Sequence, residues 1–351
     1  MSDNQRTEIT ALGEFGLIDH LTDPAETVQA GTILSIGDDA GVIDHFGKQT
    51  VVTTDLLLEG IHFDLTYVPL KHLGYKAVAV NVSDLCAMMA TPTHITMSIG
   101  ISNRFSVEAL DEFYAGVYAA CAHYGVDLIG GDTSSSLKGF VISVTALGEV
   151  ATGAAVTRDG ANVSDLLCVT GDLGSAYLGL QLLEREKRIF LESPGVQPDL
   201  GQRAHVIGRF LKPEARLDIV EWLHEHEVIP TSMIDVSDGL SSEILHLCRR
   251  SAVGAVLHEE KIPIHDESRE VAFEFSIDPT ACALSGGEDY QLLFTVRQSD
   301  YEKVARNGDI SIIGYMTDAA EGARIVTKSG QTHKLTAQGW NAFGDSNVKA
   351  E

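Results

Sequence analysis

From Gly148 to Asn162 the chain runs through small residues and turn formers, GEVATGAAVTRDGAN, with strand-like and helix-like stretches alternating on both sides. In a chain of 351 residues such a break constrains the fold strongly, because a single hydrophobic core stops growing near this length and the chain divides instead. The first expectation is an α/β protein of two domains, residues 1–148 and 149–344, with one large barrel as the alternative that the length leaves open, and 345–351 as a disordered tail that offers almost nothing to bury.

Before the break, Thr50–Asp55 reads as a strand, Leu73–Met89 as a helix with apolar residues at helical spacing, and His94–Ile101 as a strand. Ser106 is the expected N-cap of a helix through Tyr124, with Glu108 in its first turn and Gly125 as its stop. Val126–Ile129 and Phe140–Leu147 follow as strands flanking a loop rich in Gly, Asp and Ser. After the break, Leu166–Thr170 reads as a buried strand, Gly171–Gly174 as a turn and Ser175–Arg185 as a helix. Pro213 suits the first turn of a helix reaching about His226. Met233–Val236, Ala255–His258 and Gln291–Val296 add strands.

With 25 Lys+Arg against 50 Asp+Glu the net charge is −25, which argues against binding nucleic acid or an anionic membrane surface. A phosphorylated ligand would be repelled as well, unless divalent cations stood between its oxygens and the carboxylates. Cys86, Cys121, Cys168, Cys248 and Cys282 are scattered without a C-x-x-C pair, so a zinc knuckle, a thioredoxin motif and a disulfide framework are all disfavoured. A reducing cytoplasm is the expected compartment. MSDNQRTEIT has no basic region followed by an apolar stretch, and no run of eighteen apolar residues occurs, so neither secretion nor a membrane span is expected.

Acidic clusters recur where strands run into turns or helices: Gly37-Asp38-Asp39, Thr53-Thr54-Asp55, Ser83-Asp84, Gly130-Gly131-Asp132 and Asp235-Val236-Ser237-Asp238-Gly239. Any one of them reads as an ordinary turn or cap. Their recurrence points further, because carboxylates and hydroxyls are hard oxygen ligands suited to Mg²⁺ and glycines let a backbone approach phosphate oxygens. A P-loop, a protein-kinase glycine loop, a G-x-S-x-G elbow and an H-E-x-x-H helix are all missing, which removes common kinase and hydrolase readings.

Six motifs carry a family resemblance: IGDDAGV (Ile36–Val42), TTDLLLEGIHF (Thr53–Phe63), YKAVAVNVSDLCAMMATP (Tyr75–Pro92), LIGGDTS (Leu128–Ser134), MIDVSDGL (Met233–Leu240) and LSGGEDYQLLF (Leu284–Phe294). Together with Gly339-Trp340, in this order, they resemble thiamine-monophosphate kinase, a family in the superfamily of aminoimidazole ribonucleotide synthetase, selenophosphate synthetase and the hydrogenase-maturation dehydratase. The resemblance implies an N-terminal α/β domain that forms a β-barrel with a second subunit, a C-terminal α/β domain, and ATP and metals in the cleft between domains. It implies phosphorylation of thiamine monophosphate by ATP with several Mg²⁺ ions, K⁺ being a further candidate ion, in a homodimer without nucleic-acid or membrane partners.

Residue by residue, Asp39, Asp55, Asp84, Asp132 and Asp238 match the family's Mg²⁺ ligands, with Thr53, Thr54 and Asp235 supporting them. Gly131, Arg158 and Ser237 match nucleotide-contacting positions beside Asp132, with Tyr114 as an adenosine neighbour. His62, Glu288 and Trp340 match the acceptor site. Lys76 is a further candidate phosphate clamp. The alternatives are a sibling ATP-dependent enzyme such as aminoimidazole ribonucleotide synthetase, and a nucleotide-sensing dimer without activity. The first cysteine is Cys86, which makes selenophosphate synthetase a poor match. The hydrogenase-maturation protein would end in a cysteine, whereas this sequence ends in Lys349-Ala350-Glu351.

Overall fold

Alternating segments become sheets only where each apolar face finds a cover. A computed structural model describes residues 20–34, 42, 43, 45, 47–198, 200, 201 and 203–337. Its elements in chain order begin with β1 (Thr32–Leu34), β2 (Val42–Ile43), β3 (Gln49–Leu58), α1 (Leu70–Ala87), β4 (Thr91–Ile101), α2 (Val107–Tyr124), β5 (Asp127–Ser135), β6 (Val141–Val150), β7 (Leu166–Thr170) and α3 (Ser175–Glu192). They continue with α4 (Ala204–Leu211), α5 (Leu217–Glu225), β8 (Ser232–Asp235), α6 (Leu240–Ser251), β9 (Val253–His258), α7 (Asp266–Glu274), α8 (Pro279–Ser285), β10 (Leu292–Val296), α9 (Tyr301–Val304), β11 (Ile310–Asp318), β12 (Ala323–Val326) and β13 (Thr332–Lys334). The chain divides into two units: Met1–Thr157 with Leu183–Gly201 and Leu211–Glu227, and Arg158–Leu182 with Gln202–Phe210 and Val228–Glu351.

The first unit is built on a sheet of order β3-β6-β4-β5, antiparallel except for the parallel pair β4/β5. Helices α1 and α2 cross at very short range because Gly74 and Gly116 stand at the crossing. A Cβ on Gly74 would lie 2.0 Å from the carbonyl oxygen of Phe113, and one on Gly116 would lie 1.9 Å from that of Lys71. Between sheet and helix, every residue of α1 from Leu73 to Ala87 is buried except Asp84. The opposite sheet face carries Val52 and Leu56, 60% and 52% exposed.

The second unit holds a sheet of order β13-β12-β9-β11-β7-β10-β8, in which β12/β9 is the parallel pair. Leu167, Val169 and Leu293 from its inner strands and Ile234 from the edge strand β8 pack with Leu240, Ile244 and Leu247 of α6. A smaller cluster joins Leu178 and Leu182 of α3 to Val206, Val271 and Cys282. All five cysteines are free and buried, and no helix of the described residues is long and apolar enough to cross a membrane.

Local expectations hold where the signal is local. Ser106 caps α2 by accepting from the amide of Ala109, and Gly125 ends it with φ 66°. Two expectations need correction. The stretch Gly130–Ser135 is no loop but the second half of β5, because it pairs in parallel with β4 as far as Ile101. Pro213 does not open a helix: the amide of Ala215 donates to Tyr124 Oη at 2.9 Å, which holds this segment out of helical bonding until α5 begins at Leu217. Asp39, Trp340, the IGDDAGV motif apart from Val42, and the tail 345–351 lie outside the described residues.

Candidate active site

In the first unit the alternation along β3 decides which groups can meet. Thr53 and Asp55 point toward α1, where Thr53 Oγ1 donates to Asp84 Oδ2 at 2.6 Å. One turn earlier, Asn81 Oδ1 accepts from the amide of Asp55 at 3.1 Å, while its own Nδ2 donates to the carbonyl of Ala77 at 3.0 Å. That pair of bonds pins β3 to the helix and sets the two carboxylates near each other. Burial, and then the charge of Asp84, push the Asp55 carboxyl up to about 6.

Thr54 points the other way, donating to the carbonyl of Val144 and accepting from Thr145 Oγ1. Asp132 shares that face by register: it pairs with Ser98, which pairs with Ser143, which pairs with Leu56. The expected set is thus split, with Thr53, Asp55 and Asp84 together on the helix side and Thr54 and exposed Asp132 on the other. Gly131 is required by packing, since a Cβ there would lie 1.9 Å from the Met97 carbonyl oxygen. His62 follows β3, and its Nδ1 accepts from the amide of Leu58 at 3.0 Å, which assigns the ring proton to Nε2. Tyr114 is buried against Phe113 and Tyr118, and burial pushes its phenol up to about 12. Lys76 is buried within α1.

In the second unit two loops run side by side. The amide of Glu288 donates to the Ser237 carbonyl at 2.7 Å and that of Tyr290 to the Val236 carbonyl at 2.9 Å. Glycines permit this approach: a Cβ on Gly287 would stand 2.5 Å from the Ser237 oxygen, and one on Gly239 would stand 2.8 Å from the Leu284 oxygen. Glu288 (φ 59°) and Tyr290 (φ 50°) are both held in the left-handed region, at a cost on the order of 1–3 kcal/mol each.

The residue between them provides the anchor. Asp289 is buried, accepts from the amides of Gly174 at 2.8 Å and Ala176 at 3.4 Å, and lends its carbonyl to Arg209 Nη2 at 3.1 Å. Burial outweighs the Arg209 charge and pushes its carboxyl up to about 7.

These loops bring Asp235, Ser237, Asp238 and Glu288 into one region. The amide of Asp238 donates to Glu243 Oε1 at 3.0 Å, and Glu243 Oε2 has no partner among the described residues. Burial pushes Glu243 up to about 8; its backbone hydrogen bonds oppose this, and the charges of Asp238 and Asp235 add to it. Burial also raises Asp238, against the charges of His246 and Arg158. Arg158 is fixed in turn by Ser251 Oγ, which donates to its carbonyl at 3.1 Å.

Sequence reasoning passed over Asn81, Glu243, His246 and Asp289. Glu243 and His246 follow the VSDG turn on one helix, and Asp289 stood in plain view beside Glu288. Their roles depend on neighbours distant in sequence.

Carboxylates crowded together, with proton affinities raised and an orphaned buried oxygen, suit a divalent cation. Among the described residues no three His, Cys, Asp or Glu side chains converge to hold a metal unaided. Pairs of carboxylates of this kind suit Mg²⁺, which takes one or two carboxylates, keeps waters and completes its shell with substrate phosphate.

The fold and the acidic strand ends place the chain in a class: residues 37–150 match the family model "AIR synthase related protein, N-terminal domain". Over 332 residues it is 35% identical to the thiamine-monophosphate kinase of Aquifex aeolicus (strain VF5), covering 95% of this chain and 98% of that one. It is 32% identical to that of Bacillus subtilis (strain 168), covering 95% and 100%. The chain belongs to the thiamine-monophosphate kinase family. Among solved structures it is similar to the thiamine-monophosphate kinase of Stenotrophomonas maltophilia K279a, with TM-score 0.76, 30% identity, and 91% and 95% of the two chains covered. It is also similar to AaThiL complexed with AMPPCP and TMP, with TM-score 0.72, 33% identity, and 97% and 100% covered.

Proposed function

We propose that the protein transfers the γ-phosphoryl group of ATP to thiamine monophosphate, giving thiamine diphosphate and ADP. The observation that carries this reading is the match along nearly the whole length, 95% of this chain with 98% of the Aquifex kinase. The relative complexed with AMPPCP and TMP supports the same pair of substrates.

Phosphoryl transfer asks a protein mainly for positioning and charge neutralisation. Within the first unit Thr53, Asp55 and Asp84 would hold Mg²⁺, and within the second Asp235 and Asp238 would; Asp39, Thr54 and Asp132 are assigned the same role on the family motifs alone. Bound Mg²⁺ would neutralise phosphate charge that the carboxylates otherwise repel. The acceptor is a phosphate monoester whose second pKa is about 6, so its oxygen is already deprotonated at neutral pH and no enzyme base is needed. The reading is direct in-line attack without a covalent enzyme intermediate.

Tyr114, Gly131, Arg158 and Ser237 are assigned to ATP, and His62, Glu288 and Trp340 to the acceptor. The strain at Glu288 supports its assignment, because such strain persists where the surroundings over-determine a site. We assign the four-stranded sheet to a β-barrel formed with the strands of a second copy of the chain, and the exposed Val52 and Leu56 support this reading.

The test is incubation with thiamine monophosphate, ATP and Mg²⁺, with separation of the thiamine species and an EDTA control. Equal yields of thiamine diphosphate and ADP, abolished by EDTA, are expected. Folded protein that binds Mg-ATP but forms neither product would reject the reading.

A further inference from the structure

We infer that the first unit carries a second binding site, a basic pocket formed by Lys71, His72, His123 and Lys212, which takes inorganic phosphate or a phosphate monoester. The pocket has a volume of about 450 Å³, with Tyr75, Gly116 and Ala119 as the rest of its wall. Such a volume lies within the range of small-molecule sites.

Three segments converge to build it. Lys71 and His72 stand in the first turn of α1, His123 in the last turn of α2, and Lys212 between α4 and α5. In a chain with 25 Lys+Arg against 50 Asp+Glu, four basic side chains around one cavity are a marked local reversal of charge. Their placement is also costly without a ligand. The first turn of α1 contains no acidic residue, and Pro69 provides no side-chain cap, so two basic groups sit at the positive end of the helix. Acidic groups are the ones normally favoured there.

The carboxylate of Glu214 offsets only part of this charge. It accepts from Lys212 Nζ at 2.6 Å, from the hydroxyls of Tyr75 at 2.5 Å and Tyr124 at 3.0 Å, and stands 3.5 Å from His123 Nε2. With four neighbours already bonded or paired, it is not one of the side chains lining the cavity. Among the described residues His72 Nδ1 is buried without a hydrogen-bond partner, and burial, then the charges of Lys212 and Lys71, hold the ring below its ordinary pKa. An anion would reverse that condition directly.

The pocket is also preorganised. Lys212 Nζ rests 4.3 Å from the centre of the Tyr75 ring, so the ammonium is fixed by ring and carboxylate together. Gly116 and Ala119 keep bulky side chains out of the cavity. A compact oxyanion matches ammonium and imidazole donors better than an apolar molecule would.

The experiment uses the full-length protein with ¹⁵N-labelled histidine, titrated with inorganic phosphate at near-physiological salt. EDTA is present, so that phosphate cannot be recruited by metal at the acidic clusters. His72→Gln and His123→Gln assign the two imidazole signals. Saturable shifts of both signals are expected, with affinity weakened at least tenfold in Lys71→Met and Lys212→Met. Both lysines are exposed, and unchanged thermal unfolding without phosphate verifies that the variants fold. Absence of saturable shifts in the wild type, or unchanged affinity in both lysine variants, overturns the inference. A parallel titration with glycerol phosphate separates the sources. Tighter binding of the ester assigns the pocket to a phosphorylated metabolite, and equal binding assigns it to free phosphate.

Discussion

Asp55 is the clearest case of a side chain whose chemistry is set by a neighbour distant in sequence. Its carboxyl sits at about 6 because burial and Asp84 both oppose its charge, and a cation would remove that opposition. Asp84→Asn keeps the volume and an acceptor for Thr53 while deleting the charge. Turnover is expected to fall ~100-fold or more with circular dichroism unchanged; near-normal turnover in folded protein would remove the metal role. Asp172 illustrates the opposite shift. Burial alone would raise it, but the His205 hydrogen bond, the Arg209 charge and the Ser175 hydrogen bond prevail and hold it at about 2. A carboxyl held below its unfolded value stabilises the fold above the ordinary carboxylate range and loses that contribution as pH falls through its folded value. Asp172→Asn is therefore expected to cost about 2 kcal/mol at neutral pH, with the gap to wild type narrowing below about pH 4. Urea unfolding at several pH values reads this, and a gap independent of pH would rule out an ionic origin.

Between elements, glycine sets two close approaches that the site depends on. The crossing of α1 over α2 places Asp84 against β3, and Gly116 permits it. Gly116→Ala is expected to destabilise the protein by about 1–3 kcal/mol in urea melts, since its Cβ would collide with backbone that cannot swing aside. In the second unit Gly287 lets the loop bearing Glu288 lie against the loop bearing Asp238, and its φ of 72° adds a second reason for glycine. Gly287→Ala should raise KM for thiamine monophosphate about tenfold, because displacement of a positioning loop weakens binding as well as alignment. An unchanged KM would separate this loop from the acceptor. The elements also mark how far a sequence can be read. Ser106, Gly125 and the Leu166–Thr170 strand were legible because caps, stops and short apolar runs act within a few residues. The second half of β5 was not, because Gly, Asp and Ser have weak strand preference and were drawn into the sheet by β4.

At the scale of the whole molecule, an exposed sheet face with Val52 and Leu56 on an edge strand is a surface a lone protein would avoid. For the proposed dimer, Val52→Lys combined with Leu56→Lys is expected to give a monomer by light scattering; a wild-type monomer, or a dimer that persists in the double variant, would reject this interface. The sequence by itself determined the α/β class, the order of the acidic clusters and, through motifs spread along the chain, the family. Those features reside in residue types and local spacing, which survive without coordinates. Only the tertiary structure decided which acidic residues meet. Thr53, Asp55 and Asp84 come together while Thr54 and Asp132 take the other side of the sheet, because side-chain direction alternates along a strand and register is fixed by partners far away in sequence. The same holds for Glu243 and Asp289. Each is an ordinary acidic residue in the sequence, and burial beside other charged groups gives it an altered proton affinity in the folded protein.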